Sequence, residues 1–177
     1  MQRIILFSQP TETISEELFD KLFPNDLKGK VFAYMPSSGR NSKQQYTDYW
    51  KEVATARGFE FLFIDNMQEG KSADEEAQKL DNANVLLITG GNTFELLRNL
   101  KRSGLDEAIK NFRNKSENII AGFSAGAIVL SPRIDVSGRP GADENQVGIT
   151  DLTGLNIIDF EIFPHCDEEK DKIILEN

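Results

Sequence analysis

The sequence predicts an α/β fold in which a doubly wound, mostly parallel sheet is sandwiched by helices. Short apolar runs alternate along the chain with longer stretches at helical spacing, as where Val85–Thr89 precedes Thr93–Leu100. Runs that are apolar at consecutive positions suit strands buried on both faces, which parallel sheets covered by helices require. A length of 177 residues suits a single domain, 1–177.

The first half of the chain supplies three alternations of strand and helix. Pro24 would end the first helix, and Gly58 stands where a helix C-terminal cap is expected. In chain order we predict strand Arg3–Phe7, helix Ile14–Phe23, strand Lys30–Met35, helix Ser42–Arg57, strand Phe59–Ile64 and helix Ala73–Leu80.

The second half continues the alternation and then becomes irregular. Arg133–Thr153 is rich in glycine and charge, which predicts a long loop or hairpin. The last predicted helix has no cap and no terminating signal, so the natural chain could extend past Asn177. The predicted elements are strand Val85–Thr89, helices Thr93–Leu100 and Leu105–Asn114, strand Asn118–Phe123, helix Ala125–Leu130, strand Asn156–Phe163 and helix Glu168–Asn177.

Composition excludes several classes of function. The net charge is −9, from 20 basic and 29 acidic residues, which argues against nucleic acid or an anionic membrane as partner. The single cysteine, Cys166, rules out an internal disulfide and fits a reducing compartment. No apolar run reaches membrane-spanning length, and the first residues are too briefly apolar for a signal peptide. We therefore expect a soluble, cytoplasmic protein.

A frame of small residues surrounds Ser124 between a predicted strand and a predicted helix. A nucleophile on such a turn needs small residues two positions before and two after it, because the turn is tight. Gly122 and Gly126 meet that need. The alternative interpretation is an inert serine in a crowded turn. A catalytic serine also requires a base, an acid and donors for an oxyanion.

His165 is the only histidine of the chain and follows a predicted strand. If Ser124 is a nucleophile, His165 must be the base that accepts its proton. The acid could be one of four carboxylates between the two, although each could equally be a solvated loop residue. No metal site or cofactor is predicted, since a lone histidine beside a lone cysteine is too few ligands. The four carboxylates are Asp135, Asp143, Glu144 and Asp151.

Gly90 and Gly91 end the fourth predicted strand and open a helix. Glycine lets the backbone approach a ligand closely, so this turn and the amide of Ala125 could supply oxyanion donors. The alternative is a glycine turn whose helix is capped by Asn92 or Thr93. Dinucleotide binding is disfavoured because G-x-G-x-x-G is absent here and after the first strand.

Three segments together, "ITGGNTFELL", "GFSAGAIVLSP" and "IFPHCD", resemble the S51 serine peptidases, the family of peptidase E and cyanophycinase. The resemblance implies a fold of the class I glutamine amidotransferase-like type. It also implies Ser124 as nucleophile and His165 as base, with the backbone N–H groups of Gly91 and Ala125 as oxyanion donors.

The resemblance further implies an aspartate in the loop between Ser124 and His165. Counting back from the Pro-His pair places it at Asp143, whereas counting forward from the serine reaches Arg139. A short insertion reconciles the counts, so we choose Asp143, with Glu144 and Asp135 as fallbacks. The family's arginine-rich stretch after the histidine is replaced here by "CDEEKDKIILEN", which disfavours a preference for Asp-X dipeptides.

The sequence thus predicts a serine peptidase that cuts small peptides through an acyl-enzyme, without metal or cofactor. Two alternatives stay open: an esterase or amidase acting on a non-peptide acyl group, and a binding protein that has lost turnover. The aromatic residues of Ser42–Arg57 suit either the core or an oligomer interface such as that of a homodimer.

Overall fold

The computed structural model describes residues 3–9 and 29–166, within which five parallel strands form one sheet. The strands lie in the order β1-β5-β4-β2-β3 and pair in parallel throughout. In chain order they are β1 (Arg3–Phe7), β2 (Val31–Met35), β3 (Glu60–Phe63), β4 (Val85–Ile88) and β5 (Ile119–Phe123).

Helices cover both faces of this sheet. The described helices are α1 (Gln44–Ala56), α2 (Lys71–Asp81), α3 (Thr93–Ser103), α4 (Leu105–Arg113) and the short α5 (Ala125–Ile128), with 3₁₀ turns at Gly39–Asn41 and Asp135–Gly138. Successive strand residues point to opposite faces, and the core divides accordingly. Phe32 and Tyr34 pack with Trp50 of α1 on one face. Ala33 and Met35 pack with the other helices on the opposite face.

The topology confirms the predicted doubly wound α/β fold. From β2 the chain moves outward to β3, and from β4 it moves to β5 in the opposite direction. The strand order therefore reverses between β2 and β4. Open parallel sheets bind ligands at the carboxyl ends of the strands on either side of such a reversal. Any site of this fold is expected just beyond Met35, Ile88 and Phe123.

The predicted strands and helices before residue 125 agree with the structure to within a few residues at their ends, wherever they are described. The helices predicted at Ile14–Phe23 and Glu168–Asn177 lie outside the described residues. The loop predicted at Arg133–Thr153 is confirmed, and its two ends form an isolated antiparallel bridge. None of the helices in residues 3–9 and 29–166 has the length and apolar composition to cross a bilayer.

The helix predicted at Ala125–Leu130 is present and ends two residues early, at Ile128. One prediction in this part of the chain is wrong. The segment Asn156–Phe163 is not a strand. The first N–H groups of this segment are not available to pair with the sheet, because those of Ile157 and Ile158 both donate to the carbonyl of Leu130. Asn156 moreover adopts a positive φ of 53°, which breaks an extended path. Ile157 and Ile158 are buried without a strand, whereas Phe160 is 53% exposed.

Candidate active site

A cleft of about 860 Å³ opens at the carboxyl ends of the strands. Each of four strands contributes a residue just beyond its last position, and the chain returns to the cleft at His165. These contributions are Ser8 after β1, Ser37 after β2, Gly90 after β4 and Ser124 after β5. The cleft therefore occupies the position at which this topology is expected to bind a ligand.

Ser124 lies on a strained turn between β5 and α5. Its φ is 50° and its ψ is −122°, a conformation that side-chain-bearing residues rarely adopt. A Cβ on Gly122 would lie 2.5 Å from the carbonyl oxygen of Gly126, and one on Gly126 would overlap the carbonyl of Ile88. The glycines predicted around Ser124 are thus required by close backbone approach. This geometry is the one expected of a nucleophile elbow.

His165 lies beside the serine. Its Nε2 is 2.9 Å from Ser124 Oγ, although the two residues are 41 positions apart. The backbone at His165 also has a positive φ, of 59°, and its N–H donates to Ser8 Oγ at 2.6 Å. Ser8 therefore ties the histidine segment to the end of β1. Two local strains persist here because neighbouring elements hold them, as is common at functional sites.

None of the four carboxylates predicted as candidate acids is hydrogen-bonded to the His165 ring, and each has other partners. Oδ2 of Asp143 accepts from the N–H of Thr93 at 2.7 Å and from Thr93 Oγ1 at 2.6 Å, at the start of α3. Glu144 is exposed and bonds to Gln146, while Asp135 pairs with Arg133 and Asp151 with Lys101. Among residues 3–9 and 29–166, no carboxylate makes a hydrogen bond to the His165 ring.

Neighbouring cations lower the pKa of two of these carboxylates. The Arg133 guanidinium beside Asp135 lowers the pKa of that carboxyl. The Lys101 ammonium, helped by the backbone N–H of Thr153, holds the pKa of Asp151 well below its ordinary value. Both groups are charged and committed to surface ion pairs, which fits the interpretation of solvated loop residues for them.

The backbone amides of Gly91 and Ala125 are the predicted donors to an oxyanion. Gly90 packs against Ser124, since a Cβ at this position would lie 3.0 Å from Ser124 Cβ. Gly91 has a φ of 144°, which favours glycine. Within the described part of the chain, neither the Gly91 N–H nor the Ala125 N–H donates a hydrogen bond. Amides that have no acceptor among the described residues are suited to bind a developing negative charge.

The glycine turn also has the capping role offered as its alternative. Asn92 Oδ1 accepts from the N–H of Glu95 at 2.9 Å and so caps α3. Asn92 Nδ2 donates to the carbonyl of Glu144 at 2.8 Å, which ties the 133–153 loop to the same helix start. The cap and an oxyanion role are compatible, because they use different groups of the turn.

Part of the cleft lining is aromatic. Trp50 stacks on Phe123 with ring centroids 6.2 Å apart, while Tyr46 is 54% exposed. Tyr34 is buried, and burial raises the pKa of its phenol despite hydrogen bonds to Thr47 and Thr89. Apart from His165, Lys43 is the only basic residue among the described lining residues. The described lining therefore offers no arginine for an acidic side chain.

Sequence reasoning missed two serines of this site. Ser8 and Ser37 each stand one or two residues beyond a predicted strand, and each now contacts a residue of the cleft. Their signal was positional: small polar residues at the carboxyl ends of parallel strands meet at one edge of the sheet. In the part of the chain that the structure describes, no group of three metal-ligating side chains comes together.

A serine beside a histidine at the carboxyl edge of a doubly wound parallel sheet is an arrangement that serine-type hydrolases use. The sequence profile of peptidase family S51 matches residues 4–176. The chain belongs to that family.

Individual relatives agree with this assignment. The uncharacterized peptidase Lmo0363 of Listeria monocytogenes is 31% identical over 144 residues, which cover 81% of this chain and 69% of the relative. Peptidase E of Nostoc sp. is 30% identical over 169 residues, covering 93% of this chain and 65% of the relative. Peptidase E of Salmonella newport is 29% identical and is covered over 59% of its length. The chain spans roughly two thirds of these relatives.

Solved structures share the fold. A candidate peptidase E protein from Listeria monocytogenes superposes with a TM-score of 0.79 at 28% identity, covering 99% of this chain and 87% of that one. A peptidase from an acI-B1 actinobacterium superposes with a TM-score of 0.67 at 21% identity, covering 97% of this chain and 74% of that one. At that lower identity the likeness concerns the fold alone.

Proposed function

We propose that this protein hydrolyses small peptides as a serine peptidase, with Ser124 as nucleophile and His165 as general base. The observation that carries the proposal is the 2.9 Å contact between Ser124 Oγ and His165 Nε2. This distance lies within hydrogen-bond reach, which the transfer of the serine proton requires. The strained turn under Ser124 supports the same assignment, as do the Gly91 and Ala125 amides, which donate to no described residue.

The reaction proceeds in two halves. Ser124 Oγ attacks the scissile carbonyl carbon while its proton passes to His165 Nε2, and the oxyanion is held by the N–H groups of Gly91 and Ala125. Collapse breaks the C–N bond, and His165 returns the proton to the leaving amine. Water then attacks the acyl-enzyme, giving one proton to His165, and the released Ser124 Oγ takes that proton back. The products are an amine and a carboxylic acid.

The substrate preference is proposed from the cleft and the relatives together. The name peptidase E belongs to relatives of this chain, and small peptides suit a cleft of about 860 Å³. The described lining is aromatic and includes Lys43 but no arginine. Desolvating a carboxylate without a well-placed partner is costly, so uncharged side chains should be preferred over aspartate.

The third catalytic member predicted from the sequence, Asp143, remains a prediction. Its Oδ2 is bonded to Thr93, and the described structure has no carboxylate on the His165 ring. This observation also favours the second candidate function, a binding protein on the same scaffold that has lost turnover. The two functions differ in one measurable property, the reactivity of Ser124.

The test is covalent labelling by a fluorophosphonate probe, which reacts with activated serines. The folded protein should be labelled, Ser124→Ala should lose the label, and the exposed Ser116→Ala should keep it. An unlabelled folded protein would overturn the peptidase proposal and the esterase or amidase alternative together. A dipeptide panel that includes Asp-Leu and uncharged pairs, beside a p-nitrophenyl ester, then identifies the substrate class. Hydrolysis confined to Asp-X would overturn the preference proposed above.

A further inference from the structure

Ser37 lies behind the predicted oxyanion turn. It follows β2 by two residues, and β2 neighbours β4, whose continuation is Gly90. The ladder between these strands extends past β4, because the N–H of Thr89 donates to the carbonyl of Met35 at 3.0 Å. The Ser37 hydroxyl is thereby brought to Gly90 and donates to its carbonyl at 2.9 Å. Ser37 is only 4% exposed.

This hydrogen bond controls the amide on the other end of the same peptide unit. The carbonyl of Gly90 and the N–H of Gly91 belong to one planar trans peptide and point in opposite directions. A hydroxyl that holds the carbonyl on the Ser37 side therefore holds the N–H on the opposite side. Gly91 cannot be replaced without disturbing this contact, since a Cβ there would overlap Ser37 Oγ.

Ser37 is itself held from behind by two buried asparagines. Asn66 Nδ2 donates to the carbonyls of Pro36 and Ser37 at 2.9 and 3.2 Å. Asn99 Nδ2 donates to the Ser37 carbonyl at 3.4 Å. Both asparagines are buried, with 1% and 5% of their surface exposed. Buried polar networks of this kind fix the orientation of their members.

We infer that Ser37 is a positioning residue for catalysis: its hydroxyl fixes the Gly90–Gly91 peptide so that the Gly91 N–H is presented to the oxyanion. The inference rests on the proposed function, because it requires Gly91 to be an oxyanion donor. The hydroxyl of Ser37 bonds to Gly90 and not to Ser124 or His165. It acts through the peptide that it orients, in the way that outer groups orient a preorganised site.

Ser37→Ala tests the inference, with Ser103→Ala as matched control. Ser103 is a buried serine whose hydroxyl also donates to backbone carbonyls, those of Asn99 and Leu100, and it does not line the cleft. Losing one oxyanion donor costs about 10²- to 10³-fold in kcat, so misorienting one should slow labelling and kcat by about 10- to 100-fold. KM should change by less than about twofold, because the Gly91 amide meets a full negative charge in the transition state but not in the bound substrate.

Several outcomes separate the possibilities. A slow Ser37→Ala with a normal Ser103→Ala and similar melting temperatures supports the inference. A Ser37→Ala that labels at the wild-type rate, while Ser124→Ala does not label, overturns the inference and leaves the proposed function standing. Absence of labelling in the wild-type protein overturns both. If Ser37→Ala does not fold, Ser37→Cys replaces the hydroxyl by a much weaker S–H donor, so labelling should still slow several-fold; a wild-type rate in folded Ser37→Cys overturns the inference.

Discussion

Ser124 Oγ lies 2.9 Å from His165 Nε2, and the N–H of the same histidine donates to Ser8 Oγ at the end of the first strand. The pair is therefore held by two neighbouring strands, β1 and β5, which run in register from Arg3 and Ile119. The end of the sheet therefore holds both partners: Ser124 directly follows β5, and the irregular segment that carries His165 is tied to the end of β1.

The first prediction concerns this pair. His165→Gln removes the proton acceptor, so we expect the turnover and the labelling of Ser124 to fall by about 10³-fold or more. Cys166→Ser, one residue away, is the control and should retain activity, because the exposed thiol is no part of the proposed mechanism. Single-turnover labelling measures both variants. An unchanged rate in His165→Gln, or a lost rate in Cys166→Ser, would contradict the assignment of the base.

The second prediction concerns the turn under Ser124. Gly126→Ala should destabilise the protein by about 1–3 kcal/mol and abolish labelling, because the new methyl would overlap the backbone carbonyl of Ile88. Gly138→Ala is the matched control, since its methyl would meet only Phe94 Cζ at 3.6 Å, an ordinary contact. Urea denaturation and labelling report the two effects. A stable, reactive Gly126→Ala would show that the turn is not tight.

The third prediction concerns Asp143. Its carboxylate binds the N–H and hydroxyl of Thr93 at the start of α3, so Asp143→Ala should lower the free energy of unfolding by about 1 kcal/mol. Asp143→Asn keeps an acceptor oxygen and should lose less. Denaturation measures the stability, and labelling measures the chemistry. A loss of labelling by about 10³-fold or more in a stable Asp143→Asn would establish the acid role predicted from the sequence.

The fourth prediction concerns Tyr34 and alkaline pH. Burial raises the pKa of its phenol in the folded state above the ordinary value. The stability linked to this group is therefore present below about pH 10, where the phenol is protonated in both states, and is lost as the pH rises through the folded-state pKa. Tyr34→Phe should be somewhat less stable at pH 8, through lost hydrogen bonds to Thr47 and Thr89. Its stability should also fall less steeply toward pH 11.

Denaturation from pH 8 to 11 checks this prediction. Tyr46→Phe is the control, because that ring is 54% exposed and its phenol meets water in both states. Identical slopes for wild type and Tyr34→Phe would show that the buried phenol contributes nothing to the alkaline loss of stability.

Local patterns in the sequence predicted the strands, whereas contacts between residues far apart in the chain were not predictable from it. Alternating apolar runs predicted the strands because each run must be buried on both faces, and the elements from Arg3 to Phe123 that are described match that pattern. The strand predicted at Asn156–Phe163 is wrong, because apolar residues such as Ile157 and Ile158 are also buried where the backbone is irregular. The N–H groups of Ile157 and Ile158 donate to the carbonyl of Leu130, just after α5. Hydrophobic periodicity does not predict such a pairing.

The sequence by itself determined the fold class and the family, and it predicted Ser124 and His165 as the catalytic pair. Those features depend on residue types in local patterns: glycines at a tight turn, a lone histidine, apolar strands. Only the tertiary structure decided that Asp143 binds Thr93 and that Ser37 binds Gly90. Each of these contacts joins residues 50 or more positions apart. Which side chains meet depends on the strand ends and loops that the fold brings within hydrogen-bond distance. The order of residues along the chain does not specify these distances.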